Sequence, residues 1–288
     1  MKLALGTAQF GLDYGIANKL GRVDLEEVKS ILELAKSAEV RTLDTAAAYG
    51  NSETTLGMAG ISGFEVITKI PPFPSDALSG IGGWIRKTVS ESLTGLKTDS
   101  LRGVLLHRPL ELLSKVGDEA YQTLVDLKSQ GVVEQIGISI YQPQDLDELI
   151  PRFSFDIIQA PLNILDRRLI SSGWLQKLKQ NDVEVHTRSA FLQGLLLMTP
   201  TERPAYFSSW THLLNQFDQW RESQNLTALE ACLGFLYQVE GIDRIIVGTD
   251  SAKQLQEIIK IDPHANLAVP DELEAKDEAL INPARWKL

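Results

Sequence analysis

Residues 42–53 read TLDTAAAYGNSE. Val40, Thr42 and Leu43 are strand formers, whereas Ala46, Ala47, Ala48, Gly50 and Asn51 are the small residues and turn formers that follow a strand. The change of character places an acid, Asp44, and a phenol, Tyr49, where a strand gives way to a loop. Two later segments repeat the layout. FEVITKI at 64–70 carries Lys69 near the end of an apolar run, and RGVLLHRP at 102–109 carries His107 at the end of another. If these strands are parallel neighbours, the four side chains converge on one mouth.

Working outward, the pattern of strand followed by helix repeats along the chain. Strands are expected at 3–7, 41–44, 64–70, 101–107, 133–138, 155–160, 183–189 and 243–248. Between them the apolar spacing predicts helices. The first starts at Asp24, which caps the free amides while Glu27 reaches back, and buries Val28, Ile31, Leu32 and Ala35. Others are expected at 52–58, 84–96, 121–130 (stopped by Gly131), 145–150, 169–179 and 227–238, and from the Ser251 cap to 259. An extra helix at 207–220 follows the long loop 191–207, a closing helix spans 271–280, and the tail NPARWKL is available to fold over the barrel. Eight strands alternating with helices, without a linker or a break in composition, predict one α/β domain over 1–288. Its form is a single (β/α)8 barrel with long loops at the C-terminal rim, where barrel active sites lie.

Composition agrees with that size. A chain of 288 residues suits one barrel of about 250 residues. With 43% hydrophobic and 23% charged residues it reads as an ordinary globular protein. The formal charge of −10 argues against a general nucleic-acid or anionic-membrane surface and favours small neutral or polar substrates. Cys232 is the only cysteine and reads as a buried spacer, which excludes an intrachain disulfide, while the four histidines are too scattered for a metal site. The start MKLALGTAQFG lacks the apolar stretch of a signal peptide, and no run approaches the length of a membrane helix. A cytoplasmic location is expected. The sequence does not fix the oligomeric state.

The four residues form an acid–base set. A carbonyl reduced by hydride needs a proton on its oxygen, and a phenol is a weak acid at neutral pH unless its phenolate is stabilised. Lys69 beside Tyr49 would stabilise it, Asp44 would hold Lys69 charged, and His107 would hydrogen-bond the substrate oxygen. Taken singly, Lys69 is as readily a lysine snorkelling to the rim, and His107 a satisfied structural histidine. Three consecutive strands each ending in such a group favour the joint reading.

The chain resembles the aldo-keto reductase family. LGTAQFG at 5–11, LDTAAAYGNSE at 43–53, the Thr68–Lys69 pair, LLHR at 105–108 and VGTDSAKQLQEII at 247–259 occur in family order over nearly the whole length. The resemblance implies an NAD(P)H-dependent oxidoreductase reducing an aldehyde or ketone, with Tyr49 as general acid assisted by Lys69, Asp44 and His107. It also implies a cofactor site drawn from Gly6, Thr7, Ser139, Gln159, Arg188, Ser189, Gly194, Gly248, Thr249, Ser251, Lys253 and Gln254. Two positions depart from the family pattern. Ile140 stands where the family often has Asn, and Arg188 stands where an aromatic residue usually stacks on the nicotinamide. NADPH is expected over NADH, because Thr249 and Ser251 lie at a helix N-terminus with Lys253 and Gln254 nearby; Asp250 opposes a phosphate if it points inward.

Gly6 and Gly11 read equally as turn glycines or as points of close ligand approach. Ser251 reads equally as a plain helix cap. Substrate choice is assigned to the loop after strand seven and to Trp210, Trp220 and Trp286, which otherwise serve as packing residues; a sugar is one polar carbonyl that would suit. Two other functions remain open: a Schiff-base aldolase using Lys69, and a nicotinamide-binding sensor or regulatory subunit with little turnover.

Overall fold

The computed structural model describes residues 2–74, 80–264 and 266–288. Its strands are β1 (Leu3–Gly6), β2 (Thr42–Asp44), β3 (Glu65–Ile70), β4 (Leu101–Leu106), β5 (Val133–Ser139), β6 (Ile157–Pro161), β7 (Glu184–Arg188) and β8 (Arg244–Gly248). They close in sequence order, with β8 returning to β1 and every pair parallel. This is the expected (β/α)8 barrel, and strand limits move by no more than a couple of residues. The helices are α1 (Leu25–Ser37), α2 (Ser52–Ala59), α3 (Ile81–Leu96), α4 (Gly117–Ser129), α5 (Asp145–Leu149), α6 (Arg168–Ser171), α7 (Trp174–Gln180), α8 (Thr211–Ser223), α9 (Ala228–Gln238), α10 (Ala252–Ile259) and α11 (Glu278–Ile281).

Two cores result from the alternation of side chains along each strand. Outward-facing residues such as Leu43, Val66 and Val104 pack against the helices, where α1 buries Val28, Ile31, Leu32 and Ala35 as its spacing predicts. Each such aliphatic side chain contributes roughly 1.5–3 kcal/mol on full burial. Inside the barrel a separate cluster joins Ile67, Leu105 and Ile157. Glycines make room for it: a Cβ on Gly137 would meet Leu105 Cδ2 at 2.7 Å, and one on Gly103 would meet Ile157 Cδ1 at 3.0 Å.

Three expectations are corrected. The helix expected at 169–179 is broken into α6 and α7 by Gly173, whose φ of 77° is left-handed and forms the cap of α7. The helix expected at 271–280 is a 3-10 turn at Asp271–Leu273 followed by the separate α11. Between the two, the Ala275 amide donates to Leu165 O at 2.8 Å, so a tertiary hydrogen bond takes the backbone out of a helix. Asp24 does cap α1 by accepting from the Glu27 amide at 2.9 Å, but the Glu27 carboxylate does not reach back. It crosses to α10 and accepts from the Ala252 amide at 2.7 Å, because a helix N-terminus presents unpaired donors. No helix among the described residues is long and apolar enough to cross a membrane.

Candidate active site at the C-terminal rim

Counting two residues on from the inner cluster gives the floor of the rim. Ile67 is followed on the same face by Lys69, Leu105 by His107 and Ile157 by Gln159, while Gly137 is followed by Ser139. The same parity in β2 points Thr42 and Asp44 inward. The polar side chains thus sit one layer above a plug of aliphatic side chains.

At the centre is a buried ion pair. Lys69 Nζ donates to Asp44 Oδ1 at 2.6 Å and to the Thr45 carbonyl at 2.9 Å. The two residues are 1% and 4% exposed. Burial alone would drive the Lys69 pKa down, but Asp44, and then Tyr49, outweigh it, so the pKa stands above the ordinary lysine value. The other Asp44 oxygen accepts from Gln159 Nε2 at 2.7 Å, and Gln159 Oε1 accepts from Ser139 Oγ at 3.0 Å. A single hydrogen-bonded chain therefore crosses the barrel from β3 to β5.

Tyr49 lies over this pair, with Lys69 Nζ 5.0 Å from its ring centroid. Its turn is closed by the Tyr49 amide on Ala46 O at 2.9 Å and by the Ser52 amide on Tyr49 O at 3.0 Å. Gly11 packs directly on this turn. A Cβ there would stand 1.8 Å from Tyr49 O, so the close-approach reading of that glycine applies to the protein's own backbone. Opposite, His107 faces Tyr49 edge-on, with ring centroids 6.0 Å apart and planes at 81°. Burial, helped by the positive charges of Lys69, Arg188 and Arg108, lowers the His107 pKa to about 4, which leaves the imidazole neutral at physiological pH.

Asp44, Tyr49 and His107 border a cleft of about 760 Å3, while Lys69 lies beneath it. Of the expected cofactor residues, Gly6, Thr7, Ser139, Gln159, Arg188, Ser189, Gly194, Gly248 and Gln254 border the cleft. Thr249, Ser251 and Lys253 do not. Thr249 is buried and bonds to Ser251 O and Gln254 Oε1, Ser251 caps α10 by accepting from the Gln254 amide at 3.2 Å, and Lys253 is exposed. Arg188 and Ile140, the two departures from the family pattern, touch one another. Arg188 Nη2 donates to Ile140 O at 2.9 Å, and the guanidinium lies 4.9 Å from the Tyr141 ring centroid.

The cleft also takes in Gln9, Tyr14, Asn18, Tyr141 and Asn282, which the sequence reading did not single out. Gln9 lies within the LGTAQFG stretch and Asn282 in the tail NPARWKL, so their regions were marked without the residues, whereas Tyr14, Asn18 and Tyr141 come from loops without a chemical motif. The tail does return over the barrel, with Asn282, Pro283 and Ala284 on the cleft wall. Trp210 and Trp286 instead pack on Phe207.

The sequence profile of the Aldo/keto reductase family matches residues 2–273. The uncharacterized oxidoreductase YqkF of Bacillus subtilis is 26% identical over 279 residues, covering 90% of each chain. An aldo-keto reductase of Mycobacterium avium is 31% identical over 183 residues, 61% of each. The solved structure of aldo-keto reductase AKR11C1 from Bacillus halodurans in its holo form superposes with a TM-score of 0.74 at 21% identity, over 99% of this chain and 95% of that one. With the profile spanning nearly the whole barrel, the chain belongs to the aldo/keto reductase family and is an NAD(P)H-dependent oxidoreductase that reduces carbonyls.

Proposed function

We propose that the protein reduces a small polar aldehyde or ketone with Tyr49 as the proton donor. The observation that carries this reading is the buried Asp44–Lys69 pair directly beneath the Tyr49 ring. A reduced nicotinamide dinucleotide bound in the cleft supplies the hydride. Tyr49 gives its proton to the carbonyl oxygen, and the Lys69 ammonium faces the phenolate that remains. Asp44 keeps Lys69 charged and in place. Neutral His107 donates a hydrogen bond to the same oxygen and orients the carbonyl without adding a charge.

Ser139 and Gln159 would hold the nicotinamide carboxamide. Although bonded to one another, each retains capacity, since Gln159 Nε2 has a second hydrogen and Ser139 Oγ can still accept. Arg188 would lie against the ring in place of an aromatic residue. Tyr14, Asn18, Tyr141 and Gln193 at the mouth suit a polar substrate. Of the residues expected to meet the NADPH phosphate, Thr249, Ser251 and Lys253 stand outside the cleft.

Lys69 is poorly suited to a Schiff-base role. That chemistry needs a neutral amine open to substrate, whereas Lys69 is cationic, buried and roofed by Tyr49. Tyr49→Phe should lower carbonyl-dependent oxidation of the reduced nicotinamide by roughly 10²- to 10⁴-fold and leave its dissociation constant unchanged. Full turnover in this variant would overturn the assignment. Borohydride trapping of a carbonyl on Lys69 would revive the aldolase, and tight cofactor binding without any carbonyl reduction would indicate a sensor.

A further inference from the structure

We propose that the far end of the cleft accepts an unphosphorylated adenosine ribose, so that the protein takes NADH in preference to NADPH, with Asp250 reading the ribose hydroxyl. The proposal rests on the nicotinamide-dependent reading above. With the nicotinamide held beside Ser139, Gln159 and Arg188, the remainder of the dinucleotide has to extend along the cleft. Its opposite end is formed by Gly248, Asp250, Gln254, Glu257 and Ile258, where β8 passes into α10.

The charges at that end decide between the two cofactors. NADPH differs from NADH by one phosphate on the adenosine ribose, a group of nearly two negative charges with three acceptor oxygens. Among the described residues that border the cleft, the charged groups at the α10 end are Asp250 and Glu257, both acidic. Arg188 belongs to the reaction end and is bonded there to Ile140 O and Ser189 Oγ. Lys253, the nearby cation expected to meet a phosphate, lies outside the cleft lining.

Three amides around the start of α10 are already engaged. The start of α10 is the one feature here suited to an anion, and this chain supplies the anion itself, since Glu27 accepts from the Ala252 amide at 2.7 Å. The Gln254 amide is taken by Ser251 Oγ at 3.2 Å, and the Asp250 amide by Gln254 Oε1 at 2.8 Å.

Asp250 offers what a ribose hydroxyl needs. Its Oδ1 is buried and has no hydrogen-bond partner among the described residues. The residue borders the cleft, where a carboxylate accepts from a hydroxyl and repels a phosphate of nearly two negative charges. An acidic side chain on a ribose hydroxyl is the general device by which dinucleotide sites favour the unphosphorylated form.

The test is an equilibrium titration of the full chain with NADH and with NADPH, followed by tryptophan quenching. NADH should bind at least ~10-fold tighter. Asp250→Ser, which removes the charge and keeps a small polar group, should narrow the gap to within ~3-fold, mainly by tightening NADPH. Asp250→Asn should act in the same direction. Equal or tighter binding of NADPH by the wild-type chain would overturn the proposal, as would an unchanged gap in both variants. Binding of neither dinucleotide would overturn the nicotinamide reading itself, an outcome distinct from the wrong preference between two that bind.

Discussion

The two ends of the cleft are built by opposite means. Around Asp44 the polar groups answer one another: Lys69, Gln159 and Ser139 form one bonded chain with it in the barrel floor, with Tyr49 over Lys69 and Ile67, Leu105 and Ile157 in the layer below. Over residues 250–254, at the start of α10, the side chains are half-buried or exposed, Asp250 has an unmatched oxygen, and Glu27 of α1 supplements the Ser251 cap. Strand ends fixed in a closed barrel hold atoms to the tolerance that proton transfer needs. A loop entering a surface helix holds charges loosely, which suffices to select among ligands that react alike. Alterations at the first end should therefore cost stability and turnover together, whereas those at the second should change preference at small structural cost.

The largest break in this contrast should come from Lys69→Met. It leaves Asp44 buried with only Gln159 to answer its charge, and removal of one member of a buried pair costs about 3–5 kcal/mol. An unfolding free energy, measured by urea titration, lowered by less than about 1 kcal/mol would mean that the floor is not a rigid element. Next in size is acid sensitivity. His107 titrates at about 4 in the fold and at 6.5 in its ordinary state. Between those values the unfolded chain binds the extra proton, so the neutral form's contribution is complete above 6.5 and is lost as pH falls toward 4, by roughly 3 kcal/mol. His107→Gln should flatten that part of the pH–stability profile, and a profile identical to wild type would contradict it. The smallest effect belongs to the far end. Glu27→Gln keeps an acceptor for the Ala252 amide and removes the charge at a helix N-terminus, so it should cost about 0.3–1 kcal/mol and leave turnover unaltered. A larger loss would place Glu27 among the fixed elements.

What could be read in the sequence follows the same division. Asp44, Lys69 and His107 were legible because each ends an apolar strand, and strand parity is a local property: two residues along is the same face. Tyr49 was legible because a turn of small residues presents it. The Glu27–Ala252 contact spans 225 positions and has no local signature; a capping pattern four residues long suggested another partner for the same carboxylate. The Ala275 amide was drawn from the expected helix by Leu165, again a partner distant in sequence. Arg188 and Ile140 looked like separate departures until the fold put the guanidinium on the Ile140 carbonyl. Periodicity reports what a residue's neighbours along the chain require, and these contacts are settled by neighbours across it.

One oxygen of Asp44 serves Lys69 and the other serves Gln159. A ligand that pulled the Gln159 amide away from Asp44 would therefore alter how strongly Asp44 holds its cation. Free energy permits no one-way traffic: if occupancy changes the charge balance of the floor, that balance changes occupancy by the same factor. Proton inventory and ligand affinity are then a single equilibrium read from two sides.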